Sequence, residues 1–96
     1  MKFSDGIGYK KRPVVILNNN RGDFLICAIS TQLQQGGQFD IYLNCDSENN
    51  LRKDSVILLF KISTISSESI TTKMGKLSKN NWILLKNNMQ KFVNSW

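Results

Sequence analysis

The sequence contains no histidine, and this absence removes several kinds of catalytic site. A serine or cysteine nucleophile activated by a histidine base is impossible. Metal sites are disfavoured as well, because Cys27 and Cys45 lie far apart and no carboxylates cluster at ligand spacing. The segment Gly6-Ile7-Gly8 is too short for a phosphate-binding glycine loop. The sequence therefore predicts neither a metal nor a cofactor.

Long apolar segments and a disulfide framework are also missing. No apolar run approaches the roughly 20 residues of a membrane-spanning helix, and the first residues lack the hydrophobic stretch of a signal peptide. Two cysteines do not make a framework, and Cys27 stands in an apolar run that is typical of a buried thiol. The sequence predicts a cytoplasmic protein that does not use a membrane.

Acidic residues are few and unevenly placed. There are 13 lysines and arginines against 7 aspartates and glutamates, a formal net charge of +6, and no acid follows Glu68. This excess of positive charge favours a polyanionic partner, nucleic acid first and an acidic protein second. The lysines near the C-terminus fit solvated helix faces equally well, and charge alone does not identify a reaction.

The apolar segments that are present are short and are separated by polar turns. Their β-branched residues predict strands at 13–17, 24–29, 38–43 and 55–62. Turn residues predict connections at 18–23 and 44–54 and a flexible polar loop at 32–38. Gly75 and residues 66–69 are predicted to lie in turns or in a short helix.

The C-terminal segment has a different pattern, typical of a helix over about 78–95. Ser78 suits the N-cap, and Leu77 can pack on Trp82 as a hydrophobic staple. Apolar residues recur at steps of three and four: Trp82, Leu85, Met89, Phe92 and Trp96. This stripe indicates core packing rather than a binding surface. The 96 residues predict a single, mainly β domain, a small barrel covered by this helix.

One reaction suits a chain without histidine, because RNA carries its own nucleophile, the 2′-OH. An arginine can neutralise the phosphate charge that develops during cleavage, and a neighbouring hydroxyl can orient the phosphate. Arg12 precedes Pro13, which favours an extended backbone at Arg12, and Ser30 and Thr31 follow an apolar strand. Taken alone, these residues are better explained as an ordinary surface arginine and an ordinary strand-to-turn pair.

Five segments carry a recognisable pattern when they are taken in order. They are GYKKRPVVIL at 8–17, ICAISTQ at 26–32, LRKDSVILL at 51–59, KISTIS at 61–66 and MGKLS at 74–78. No segment is specific by itself, but the ordered set resembles the MazF/PemK toxins of type II toxin–antitoxin systems. The resemblance extends from residue 3 to about residue 93.

The resemblance implies an SH3-like β-barrel with a C-terminal helix, of the kind shared by the MazF, PemK and CcdB toxins. It implies a homodimer that cuts single-stranded RNA, including mRNA, as a metal-independent endoribonuclease. It also implies inhibition by a cognate antitoxin, whose acidic, flexible segment lies in the RNA groove.

Carried over by position, the resemblance implies site residues. Arg12 matches the family's catalytic arginine, Ser30 its catalytic threonine, and Thr31 the hydroxyl residue that follows. The loops at 6–11 and 32–38 match the flexible loops that flank the RNA site. The residues expected to bind RNA are Lys10, Lys11, Gln32, Gln35 and Lys61. The general base is unassigned, and only proximity in sequence makes Asp5 a candidate.

Three departures from the family pattern affect these expectations. Family members usually have additional residues before this starting point, so we expect the opening strand to be shortened or lost. Phe60 and Ser66 stand where some members carry acids, so an acid–base scheme that uses those acids is absent. Ser30 replaces the commoner threonine and keeps the hydroxyl. These departures leave open a non-catalytic or truncated member that binds RNA or an antitoxin without cleavage, or a gyrase-inhibiting relative on the same barrel.

Overall fold

One antiparallel sheet and one C-terminal helix make up the architecture in a computed structural model that describes residues 2–7, 10–70 and 72–96. Side chains are described for residues 12–70 and 75–96. The strands are β1 (Lys2–Ile7), β2 (Lys10–Asn20), β3 (Asp23–Ser30), β4 (Ile41–Leu43), β5 (Ser55–Ser66) and β6 (Thr72–Lys76). Their order is β4-β5-β3-β2-β1-β6. The helix α1 (Lys79–Asn94) follows, and short 3₁₀ turns lie at Leu33–Gln35 and Ser67–Ser69. The predicted mainly β fold with a C-terminal helix is confirmed.

The opening strand is present, so the expectation that it is lost is wrong. β1 pairs with β2 on one side and with β6 on the other, and Phe3 is opposite both Val15 and Gly75. Ile7 pairs with Lys10, so most of the loop predicted at 6–11 is strand, and residues 8 and 9 of that loop lie outside the described part. Pairing between distant segments forms β1, and the local sequence gives little signal for it.

β6 was also not predicted, and Gly75 lies inside it rather than in a turn. The strand forms because it pairs with β1 and because the backbone N–H of Lys76 donates to the carbonyl oxygen of Glu48 at 2.9 Å. A Cβ at Gly75 would collide with that same carbonyl oxygen. Glycine is therefore required for the close approach of two backbones.

The hairpin between β2 and β3 is tighter than the turn predicted at 18–23. Both strands continue to a two-residue turn at Arg21 and Gly22, whose φ angles of +50° and +85° suit a type I′ hairpin turn. A β-bulge between Ile16 and Asn18 shifts the register, and Leu17 packs against the core. Cross-strand pairing with β3 overrides the turn preference of the three asparagines at 18–20.

The second half of the long strand β5 is exposed. Cys27 pairs with Ile62 and Ala28 with Leu58, so the residues between, Leu59–Lys61, form a three-residue bulge. β4, which is shorter than the predicted strand at 38–43, covers only residues 55–57 of β5. Residues 55–59 are buried, whereas residues 60–64, beyond the reach of β4, are exposed.

The core lies between the sheet and α1. Its fully buried side chains come from β2, β3, β4 and β5, and the helix adds Leu85, which is 1% exposed. The Oγ of Ser78 caps the helix by accepting from the N–H of Asn81 at 3.1 Å, as predicted. The predicted stripe packs on the core through Trp82, Leu85, Met89 and Phe92, but Trp96 is 83% exposed. In the part of the chain that the structure describes, no helix has the length and apolarity to span a membrane.

Candidate functional site

A groove of about 680 Å³ lies over β2, β3 and β5, and six of the eight predicted site residues line it. The six are Arg12, Ser30, Thr31, Gln32, Gln35 and Lys61. Its floor is apolar and consists of side chains from three neighbouring strands, among them Val14, Ile26 and Leu58. The groove therefore combines predicted site residues that lie up to 49 positions apart in the sequence, from Arg12 to Lys61.

The register of the hairpin explains why Arg12 and Ser30 lie in the same groove. Val14 pairs with Ala28 on the antiparallel neighbour, and Arg12 and Ser30 each lie two residues beyond this pair, on the same face of their strands. Arg12 is exposed and Ser30 is half-buried at the end of its strand, so a phosphate in the groove could reach both.

The hydroxyl of Ser30 is held in place by the backbone that follows it. Its Oγ accepts a hydrogen bond from the N–H of Gln32 at 3.0 Å. Because a serine hydroxyl carries one hydrogen and two lone pairs, this bond leaves its hydrogen available for an anion. Thr31 is exposed beside it. The end of β3 thus offers two hydroxyls to the groove.

In the loop after β3, the side-chain amides of two glutamines are hydrogen-bonded to each other. The Nε2 of Gln35 donates to the Oε1 of Gln32 at 3.0 Å. This bond leaves the Nε2 of Gln32 as a donor and the Oε1 of Gln35 as an acceptor. A neighbouring donor and acceptor suit the polar edge of an unpaired base. The tip of the predicted flexible loop is in fact a 3₁₀ turn, Leu33–Gln35.

Lys61 reaches the groove from the β5 bulge. The other two predicted RNA-binding lysines, Lys10 and Lys11, belong to β2, but their side chains lie outside the described residues. The side chain of Asp5 also lies outside them, although its backbone pairs with Pro13, the neighbour of Arg12. The role of these three residues stays a prediction.

The sequence model of one protein family matches almost the whole chain. This family is described as the PemK-like, MazF-like toxin of type II toxin-antitoxin systems, and the match covers residues 1–93. The chain belongs to this family. The resemblance drawn from the five ordered segments is thereby confirmed, and the chain is a MazF-like member of a family of toxins and endoribonucleases.

Solved structures share the MazF-like fold at low sequence identity. The Mycobacterium tuberculosis toxin MazF-mt6 superposes with a TM-score of 0.84 and 18% identity, over 98% of this chain and 97% of that one. An endoribonuclease in complex with its cognate antitoxin, from a mycobacterial species, gives 0.80 and 13%, over 97% and 91%. At such identities the likeness shows the fold alone. None of the curated proteins matches the chain.

Sequence reasoning missed one polar residue of this MazF-like groove, Ser63. It lines the groove two positions after Lys61, and side chains two positions apart on a strand point to the same face. That spacing was the signal that could have identified it. Ser63 adds a third hydroxyl to the lining.

Chemistry based on a thiol does not fit the site. Cys27 is adjacent in sequence to the floor residues Ile26 and Ala28 and is 0% exposed. Burial, and then the charge of Asp40, raises the pKa of the Cys27 thiol to about 12. The thiol therefore stays protonated at neutral pH and is a poor nucleophile. Within the residues that the structure describes, no group of three cysteines or acids could hold a metal ion.

Proposed function

We propose that this MazF-like toxin is an endoribonuclease that cleaves single-stranded RNA in the groove described above. One observation carries the proposal: a single groove brings together Arg12, two hydroxyls at the end of β3, the paired glutamines and Lys61. Arginine and lysine neutralise phosphates, and hydroxyls and amides position the backbone and the bases. The net charge of +6 supports a polyanionic substrate.

In the proposed reaction the 2′-oxygen attacks the adjacent phosphorus, and the bond from phosphorus to the 5′-oxygen breaks. The products are a 2′,3′-cyclic phosphate and a 5′-OH end. The guanidinium of Arg12 stabilises the charge that grows on the phosphate oxygens, and the leaving 5′-oxygen takes its proton from water. Ser30 and Thr31 donate hydrogen bonds to the same oxygens, where aimed donors contribute most to the rate.

The proton of the 2′-OH needs an acceptor. The described lining of the groove contains no carboxylate, so in this proposal the proton passes to water or to Asp5. The backbone of Asp5 pairs with Pro13, the neighbour of Arg12, and Asp5 stays a candidate on sequence proximity alone. Neither route requires a metal ion.

The experiment is cleavage of a labelled single-stranded RNA in EDTA. We expect the wild-type protein to release fragments with a 2′,3′-cyclic phosphate, and Arg12→Ala to be slower by about 10²- to 10³-fold. Arg52→Ala is the matched control, because Arg52 is exposed and is not part of the groove lining. Equal rates for wild type and Arg12→Ala would remove Arg12 from the mechanism. A requirement for added metal would overturn the scheme.

A homodimer is part of the proposal. The end of α1 and the β5 bulge expose an aromatic cluster, in which Phe60 is 82% exposed and Trp96 is 83% exposed. Both rings meet Phe92 edge-on, with centroid distances of 6.3 and 5.7 Å. A second copy that covers this cluster would remove a large apolar surface from water. Sedimentation should show a dimer for the wild type and a shift to monomer for Phe60→Glu; a monomeric wild type would contradict it.

An acidic antitoxin is the proposed protein partner. A relative with the same fold is found in complex with its cognate antitoxin. The cations and amide donors of the groove would bind the carboxylates of an acidic segment as they would bind phosphates. We therefore expect antitoxin and RNA to compete, so that added antitoxin suppresses cleavage.

A non-catalytic RNA-binding role is the second candidate. It is favoured by Phe60, an exposed apolar side chain that stands where some members of the family carry an acid. This alternative predicts salt-dependent RNA binding without cleavage products in the same assay.

A further inference from the structure

We propose that Asp40 is a positioning residue that holds the two polar walls of the groove at a fixed spacing and so controls RNA binding. The inference rests on the proposed function, because it concerns the same groove. One wall is the loop at 32–38, which carries Gln32 and Gln35. The other is the β5 bulge, which carries Lys61. Asp40 itself does not line the groove.

One carboxylate oxygen of Asp40 holds the loop. Its Oδ2 accepts a hydrogen bond from the N–H of Gly37 at 2.8 Å. The N–H of Asp40 donates in return to the carbonyl oxygen of Gly37 at 3.3 Å. These two bonds close the base of the loop directly after the turn that carries Gln35. The position of the glutamine pair therefore depends on this carboxylate.

The other carboxylate oxygen holds the bulge. Its Oδ1 accepts from the N–H of Leu59 at 2.8 Å. Leu59 is fully buried and is the first residue of the bulge, which has no opposite residue on β3. A buried N–H without a partner is costly, so Asp40 stabilises the bulge by supplying one. Lys61 is the last residue of the bulge, two positions after Leu59. Its position therefore depends on the same hydrogen bond.

Asp40 can hold both segments because hydrogen bonds fix the backbone on either side of it. The Nδ2 of Asn88 on α1 donates to the carbonyl oxygen of Phe39 at 3.1 Å. Ile41, the next residue along the chain, starts β4 and pairs with Ile57. Tyr42 packs so closely under Gly36 that a Cβ there would collide with its hydroxyl. The loop is therefore fastened at its base.

The arrangement requires two acceptors on one side chain. A carboxylate accepts with both oxygens, whereas an asparagine has one oxygen and one NH₂ group. In Asp40→Asn, one of the two N–H groups would face another donor, and one wall would be released. Side-chain volume is almost unchanged. The substitution therefore removes a hydrogen bond that sets the spacing of the walls and leaves the packing of the core unchanged.

The first experiment measures cleavage and binding of single-stranded RNA by Asp40→Asn. We expect KM to rise about 10-fold while kcat changes less than about 3-fold, because the walls bind RNA and do not perform the chemistry. Binding of a non-cleavable 2′-O-methyl RNA should weaken by the same factor. Asp54→Asn is the matched control, since Asp54 accepts from the N–H of Cys45 at 2.8 Å away from the groove. We expect wild-type values for this control.

A double-mutant cycle separates positioning from general stability. If Asp40 acts through the two walls, Asp40→Asn should weaken binding by less than about 2-fold when Gln35 and Lys61 are already alanine. The same 10-fold loss in that background would overturn the proposal, and so would wild-type KM in Asp40→Asn. Failure of the wild type to cut or bind RNA would instead overturn the proposed function.

Hydrogen exchange tests the clamp without RNA. The amides of Gly37 and Leu59 should exchange at least about 10-fold faster in Asp40→Asn, while the helix α1 keeps its protection. Unchanged exchange at both amides would overturn the clamp. If Asp40→Asn does not fold, Gly37→Pro removes the loop-side donor alone, and Gly37→Ala is its control because a Cβ there meets Asp40 at an ordinary 3.5 Å. Equal RNA binding by these two variants would also overturn the proposal.

Discussion

Lys61 offers a quantitative test of phosphate binding in the groove. Arg12 and Lys61 are the two cations in the lining that the structure describes, and Lys61 is exposed on the β5 bulge. The logarithm of the binding constant falls linearly with the logarithm of the salt concentration, and each phosphate that a protein neutralises on a single strand adds about 0.7 to the size of this slope. Lys61→Gln should therefore make the slope shallower by about 0.7. If the variant and the wild type bind RNA equally at 1 M salt, this difference in slope makes the variant's affinity about 5-fold weaker than that of the wild type at 0.1 M salt.

The assay is fluorescence anisotropy of a labelled 2′-O-methyl RNA at several salt concentrations between 50 and 400 mM. The non-cleavable RNA keeps the measurement at equilibrium. Lys79→Gln is the control, because Lys79 is an exposed lysine at the start of α1 outside the groove lining. It lowers the net charge by the same amount. We expect the slope for Lys79→Gln to match the wild type.

Two results would refute this reasoning. If Lys61→Gln and the wild type give the same slope, Lys61 does not contact a phosphate. If both lysine variants give equally shallow slopes, net charge rather than the groove sets the affinity. The second result would also weaken the assignment of the groove as the RNA site.

The remaining predictions concern stability. Folding raises the pKa of the Cys27 thiol from 9.0 to about 12. The folded state therefore keeps a proton that the unfolded state loses, and the free energy of unfolding falls as the pH rises above about 9. In urea unfolding with a reductant present, the wild type should lose about 2 kcal/mol more than Cys27→Ala between pH 8 and pH 10.5. Leu85→Ala should destabilise by about 3–5 kcal/mol in the same assay, because Leu85 is fully buried between helix and sheet, and a loss below about 1 kcal/mol would contradict this packing. Gly22→Ala should cost about 1–2 kcal/mol since φ is +85° there, whereas Arg21→Gly should stabilise or be neutral.

Local sequence was sufficient for the elements whose signal is local. The apolar stripe and the Ser78 cap placed the helix to within a residue at each end, because a helix is built from contacts three and four residues apart. The β-branched runs placed the cores of β2, β3 and β5 for a similar reason. Each of these strands is nevertheless longer in the structure, since pairing with a neighbour extends a strand into polar sequence.

The elements that were missed depend on contacts between distant segments. β1 and β6 form as each other's neighbours, and Gly75 belongs to a strand because the backbone of Glu48 passes directly beside it. The bulge at Leu59–Lys61 is visible only in the register with β3. Nothing in the local sequence of Asp40 indicates that its carboxylate joins the loop to this bulge. A single sequence does not contain these long-range registers in a readable form.

The candidate site shows the same division between residue type and register. Residue types alone made Arg12 an unremarkable surface arginine, and the family pattern was needed to single it out. The structure adds that Arg12 and Ser30 line the same groove, which the local sequence does not indicate. The described lining holds two cations and no carboxylate, which supports the proposal that the groove binds negative charge of either origin. Both an RNA backbone and an acidic antitoxin segment fit that description, so the features proposed to bind the substrate also make the site open to inhibition by competition.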